Sequence, residues 1–237
     1  MKYKIIKAKT AAEQTHLKLL IYGESGAGKT YFSVGTKNPL VLLTEMNGQA
    51  SILAANPNAD IIHVPDANML AGLLRDLCEK PDLFKGYDMV IIDSLTEMQR
   101  MIKDRITGGT SRQLKLQEWG KLAGDTLGMI RRIRSIPFNV CCLALLETQV
   151  AEETGERHLK PMFEGRKTSS EISQYFNAVG LLYRTVTADE TVRKVMFEGP
   201  SRIMCKPVGS ISGIVDIQET KLSKIISLVQ GGKNEKS

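Results

Sequence analysis

At 237 residues, with 42% hydrophobic and 24% charged side chains, the chain is long enough to bury one large α/β core and too apolar to be globally disordered. Its 32 Lys and Arg against 26 Asp and Glu leave a formal charge of +6, which favours an anionic partner without identifying one. The beginning lacks a continuous apolar stretch of signal-peptide length and no run approaches the length that crosses a bilayer, so a cytoplasmic location and no membrane partner are expected.

One α/β domain is expected over residues 1–230, with 1–16 as an amino-terminal extension and 231–237 as a solvated, flexible tail. The first predicted strand is the apolar run Leu17 to Tyr22, followed by GESGAGKT over Gly23 to Thr30 and then by a helix-compatible segment. This is the P-loop pattern G-x-x-x-x-G-K-S/T in its required strand, turn and helix context; a chance glycine-rich turn is the alternative. Glycines at 23, 26 and 28 let the backbone approach phosphate oxygens closely. Lys29 is long enough to reach the β and γ phosphates of ATP, and the Thr30 hydroxyl is placed to ligate the Mg²⁺ that bridges them. The nucleotide-binding set expected from the motif is Gly23, Glu24, Ser25, Gly26, Ala27, Gly28, Lys29, Thr30 and Tyr31.

Pro39 to Thr44 reads as a second strand ending at Glu45, and Asp60 to Val64 as a third. Leu70, Leu73, Leu74 and Leu77 recur at helical spacing within Ala67 to Glu79. Met89 to Asp93 is a continuous apolar run closing on a carboxylate, as expected of a parallel strand buried on both faces. Asp93 is placed for Mg²⁺ at the end of a strand expected beside the P-loop strand; capping of the next helix is its alternative role. Helices are expected over Leu95 to Ile106 and Gln113 to Arg134, and a buried strand over Asn139 to Leu146. Flexible loops are expected over 106–115 and 150–170, then strands over Ala178 to Val186, Thr191 to Phe197 and Arg202 to Cys205, and a last helix over Lys221 to Val229. The fold class is therefore α/β, a mostly parallel sheet flanked by helices with antiparallel strands at one edge. Cys78, Cys141, Cys142 and Cys205 form no C-x-x-C pair and are expected as reduced thiols. His63 reads as a core-edge residue and Trp119 as a packing anchor.

Asp93 is followed by Ser94, so the glutamate that AAA+ ATPases carry next to this aspartate is missing. Glu45 stands instead at the end of the strand after the P-loop helix. This distribution of acids resembles the RecA-type ATPases, and the resemblance implies that Glu45 is catalytic; a solvated loop residue is the other reading. It also implies a γ-phosphate sensor at the end of Asn139 to Gln149, with Gln149 preferred and Glu147 the substitute, and a trans-acting cation at Lys206, with Arg202 nearby. Together with LKLQEWG over Leu114 to Gly120, PMFEGRK over Pro161 to Lys167 and YFNAV over Tyr175 to Val179, the pattern is similar to phage-encoded, RecA-like P-loop ATPases of single-strand annealing and recombination. That resemblance implies ATP and Mg²⁺, a homo-oligomer, single-stranded DNA held by Arg112, Lys115, Arg157, Lys160, Arg166 and Lys167, and a single-strand-binding or replication protein as a further partner, all in the host cytoplasm. The competing readings are a nucleotide-dependent helicase loader with little turnover and a small-molecule P-loop kinase.

Overall fold

In the computed structural model, which describes residues 16–45, 48–186, 190–209 and 211–229, every residue of β1 (Lys18–Gly23), β2 (Pro39–Leu43) and β4 (Met89–Asp93) is buried. Apolar side chains on both faces require a cover on both faces, and alternation along each strand sorts them. Leu20, Tyr22, Leu42 and Ile92 point to one side, where they pack with α3 (Ala67–Glu79), α4 (Leu95–Thr107) and α5 (Leu116–Ser135). Leu19, Ile21, Val41 and Ile91 point to the other, against α1 (Lys29–Ser33), α2 (Gln49–Ala55) and α7 (Leu222–Val229).

Among the described residues the sheet has nine strands, eight of them in the order β3-β2-β4-β5-β1-β7-β8-β9, with β3 at Asp60–His63, β5 at Val140–Val150, β7 at Ala178–Val186, β8 at Thr191–Met196 and β9 at Ile214–Asp216, while the ninth pairs with β5 alone, off this path. It is parallel from β3 to β7 and antiparallel from β7 to β9. The expected fold class holds: this is the mostly parallel, helix-flanked sheet of a P-loop NTPase core.

The helices follow from local chemistry. Asp66 caps α3 by accepting from the Asn68 and Met69 amides at 2.7 and 2.9 Å, an arrangement worth about 1 kcal/mol. Leu70, Leu74 and Leu77 are fully buried, and each such burial stabilises by roughly 1.5–3 kcal/mol. The stripe therefore docks the helix and the cap sets where it begins. At the amino-terminal end of β1, Lys18 is buried and its Nζ donates to the carbonyls of Ile136, at 2.6 Å, and Phe138. Burial pushes that ammonium down to about 8.

Several expectations change. The strand of Asp93 does not lie beside β1, because β5 pairs with both β1 and β4 and separates them; strand order is set by crossovers, which a local pattern does not encode. β5 runs on to Val150 and pairs with β6 (Arg157–Pro161), so 150–170 is a hairpin arm followed by α6 (Arg166–Glu171), not a loop. Its polar, exposed outer half shows no apolar period. Arg202 to Cys205 is not a strand; Ile203 and Lys206 make only isolated bridges, to Leu159 and Val179. The helix α2, with Ile52 as its buried residue, was not foreseen. His63 is exposed, and Trp119 is 40% exposed. Cys141 and Cys142 are buried, Cys78 and Cys205 half-buried, and all four are free thiols. No helix among the described residues is long and apolar enough to cross a membrane. Residues 1–15 and 230–237, which hold nearly all of the expected extension and all of the tail, lie outside the described residues.

One glycine locks β1 in place. A methyl on Gly23 would sit 2.2 Å from the Leu182 carbonyl oxygen of β7, a backbone atom that cannot turn aside. Gly23→Ala is expected to cost about 3 kcal/mol, read as a lower urea midpoint at unchanged slope; an unchanged midpoint contradicts the close approach.

Candidate active site

Between Gly23 and Lys29 the chain makes a turn in which Gly26 (φ 73°) and Gly28 (φ 105°) take left-handed conformations that side chains resist. The Ala27 amide donates to the Glu24 carbonyl at 3.2 Å, and the Phe32 amide to that of Gly28 at 3.0 Å, which closes the loop onto α1. Lys29 is buried, and its Nζ donates to the Gly23 carbonyl at 2.9 Å and the Glu24 carbonyl at 2.8 Å. Burial lowers its pKa, while the carboxylates of Asp93, Glu45 and Glu24 act the other way.

The acids arrive from β2 and β4, neighbours in register with Leu43 opposite Asp93. The Thr30 hydroxyl donates to Asp93 Oδ2 at 2.8 Å. Asp93 is buried, and burial raises its pKa; the Thr30 bond and Lys29 oppose that rise, and Glu45 adds to it. Thr44 ties the two strand ends together: its hydroxyl donates to the Asp93 carbonyl at 2.8 Å and accepts from the Ser94 amide at 2.7 Å. The Asp93–Ser94 peptide is cis. Ser94 donates through Oγ to Glu45 Oε1 at 2.8 Å and accepts from the Glu97 amide at 3.3 Å, so one hydroxyl caps α4 and orients the acid.

These groups surround a cavity of about 210 Å³ lined by Ser25, Gly26, Gly28, Lys29, Thr30, Tyr31, Glu45, Ser51, Asp93, Ser94 and Leu145. Backbone amides and an ammonium on one wall face two carboxylates and a hydroxyl on the other. Such a donor set suits phosphate on the first side and a divalent cation on the second. A larger cavity of about 570 Å³ lies elsewhere, between β6, α6 and residues 199–205; it has volume without the convergent acids.

The remaining residues singled out from the sequence are dispersed. Gln149 lies on the exposed part of β5, where its Oε1 accepts from Lys160 Nζ at 2.9 Å, and Leu145 of the same strand lines the cavity of about 210 Å³ instead. The strand leaves the sheet and carries 147–149 away with it. Glu147 lies 3.7 Å from Lys160 Nζ. Lys206 Nζ donates to the carbonyls of Phe176 at 2.7 Å and Ser173 at 3.4 Å within its own chain. Arg112 grips Glu118 with two bonds of 2.7 and 2.8 Å, which holds that carboxyl down to about 2. Lys115, Arg157, Arg166 and Lys167 are exposed. Sequence reasoning missed Thr44, whose place before Glu45 was the available signal, and Arg193, whose side chain reaches Gly28 from β8. Nothing local marks that approach.

Known families add one result: a family model described as an AAA domain matches residues 15–206. The search of curated proteins finds no match.

Proposed function

Because the chain belongs to the AAA domain family and is thus of the nucleotide-binding, P-loop ATPase type, we propose that it is a Mg²⁺-dependent, RecA-like ATPase that works on single-stranded DNA. The observation that carries this reading is the pairing of Thr30 with Asp93 at 2.8 Å beside Lys29, with Glu45 held by Ser94 at 2.8 Å across the same cavity. Mg²⁺, held by Thr30 and Asp93, would neutralise charge on the β and γ phosphates. Lys29 exchanges its two carbonyl partners for phosphate oxygens, and the loop amides fix the triphosphate. Glu45 is exposed at the cavity mouth, where a water can reach it, and orients that water or takes its proton as it attacks the γ phosphorus.

The DNA part rests on charge. Lys115, Arg157, Arg166 and Lys167 offer exposed cations, and the chain as a whole carries +6; Lys160, on the β6 arm, is held by Gln149 at 2.9 Å and lies 3.7 Å from Glu147. Neutralised phosphates give affinity without sequence preference and a steep loss with salt. Phage-type annealing or recombination, a homo-oligomeric assembly and contact with a single-strand-binding or replication protein belong to the same proposal.

ATP turnover measured with and without single-stranded DNA tests it. We expect several-fold stimulation by DNA that decays as salt is raised from roughly 50 to 200 mM. Tight ATP binding with no turnover under either condition favours a loader, and phosphate transfer to a metabolite refutes the ATPase reading.

A further inference from the structure

Arg193 belongs to β8, two strands from β1, yet a methyl on Gly28 would lie 2.9 Å from its Cδ and 3.1 Å from its Nε. Gly28 lines the phosphate cavity. Alternation along β8 explains how the side chain gets there: Arg193 shares its face with Val195 and Phe197, which are fully buried against the same cluster as Ala27 and Phe32 of the P-loop and its helix. The strand is pinned at this residue, since the Ile217 amide donates to the Arg193 carbonyl at 3.1 Å. The guanidinium is thus delivered to the loop by packed backbone.

Its other neighbour is unfavourable. In the β7–β8 register Arg193 stands directly opposite Arg184, and like charges directly opposite one another destabilise a ladder. Among the described residues neither guanidinium has an ion pair. Two facing arginines beside a loop built for phosphate make sense once an anion sits there. Glu45 and Asp93, the two carboxylates that line the cavity, come from β2 and β4, on the opposite side of β1 from β8; the third carboxylate that acts on Lys29, Glu24, belongs to the loop itself.

We infer that Arg193 is a second phosphate-binding cation, supplied by the chain to its own P-loop, and that it contacts the diphosphate portion of a bound nucleoside di- or triphosphate. The inference rests on the reading of the P-loop as a nucleotide site and adds a residue to it. Arg193 holds the diphosphate from the β8 side, while Lys29 and the metal-binding pair act from within the loop and from the acidic side. A planar, always charged fork suits two phosphate oxygens better than an ammonium.

Fluorescent analogues of ATP, ADP and AMP, titrated with Mg²⁺ into wild type, Arg193→Ala and Arg193→Lys, provide the test, with each variant first shown to be folded by its nucleotide-free unfolding temperature. The expected result is a loss of roughly ten- to a hundredfold in ATP and ADP affinity for Arg193→Ala, partial rescue by Arg193→Lys, and unchanged, weak AMP binding. Wild-type affinity for ATP and ADP in Arg193→Ala overturns the inference and leaves the nucleotide site standing. An equal loss for all three nucleotides also overturns it, because it marks a packing defect. Absence of nucleotide binding by wild type removes the P-loop reading itself, and the inference with it.

Discussion

Replacing Lys29 with Ala is expected to weaken ATP and ADP binding roughly a hundredfold or more. Each hydrogen bond from an ammonium to a phosphate oxygen is worth about 1.5–3 kcal/mol, and on the proposed reading Lys29 would donate more than one, so about 3 kcal/mol of binding energy is at stake. The opposing consideration is the fold, because the ammonium also satisfies the Gly23 and Glu24 carbonyls. That cost stays small: the cavity of about 210 Å³ has room for water, which replaces an absent donor at a polar wall. Burial already works against the charged form of Lys29, so its removal relieves that penalty too. Titration calorimetry with Mg-ATP decides the matter. Affinity within threefold of wild type would refute the assignment of Lys29 to the phosphates.

The second large effect concerns rate. Glu45→Gln is expected to lower the turnover number by roughly 10² to 10⁴ while leaving ATP affinity close to that of wild type, the usual range for removing a general base. Shape is preserved because the Gln amide oxygen can accept the Ser94 hydroxyl just as Glu45 Oε1 does at 2.8 Å. Only charge and basicity disappear. The metal-binding side is not weakened, since Glu45 is one of the causes that raise the pKa of Asp93 and its neutralisation favours the ionised aspartate. Single-turnover hydrolysis at saturating ATP, alongside a binding titration, separates the two effects. A variant that turns over at nearly the wild-type rate would show that the base lies elsewhere.

Legibility from sequence followed burial. Strands β2 and β4 were visible because a strand covered on both faces is apolar throughout and ends at its first charge; that rule also located Glu45 and Asp93. The P-loop was legible for a different reason, since its glycines and lysine answer to one ligand chemistry. What escaped was structure whose cause is remote. The outer half of the β5–β6 hairpin is exposed and polar, so no periodicity announces it. α2 offers one buried residue, Ile52. The placement of β5 between β1 and β4 depends on crossovers over distant elements, and the approach of Arg193 to Gly28 depends on β7 pairing with β1, which sets the β7–β8 hairpin beside the loop. Gln149 is expected as a γ-phosphate sensor and Lys206 as a trans-acting cation; their observed partners, Lys160 and the Phe176 carbonyl, come from segments whose neighbourhood the sequence does not reveal.

Thr44 carries a consequence for how such a protein can change over generations. By bonding both the Asp93 carbonyl and the Ser94 amide, it welds two strand ends into a single block, and the spacing of the carboxylates is counted in ladder rungs from the Leu43–Asp93 pair. Insertions or deletions in the connections between β2 and β4 lengthen or shorten the path between the acids without altering their separation. Those connections are free to drift, to acquire new surface or to serve new partners, while the chemistry they join stays fixed.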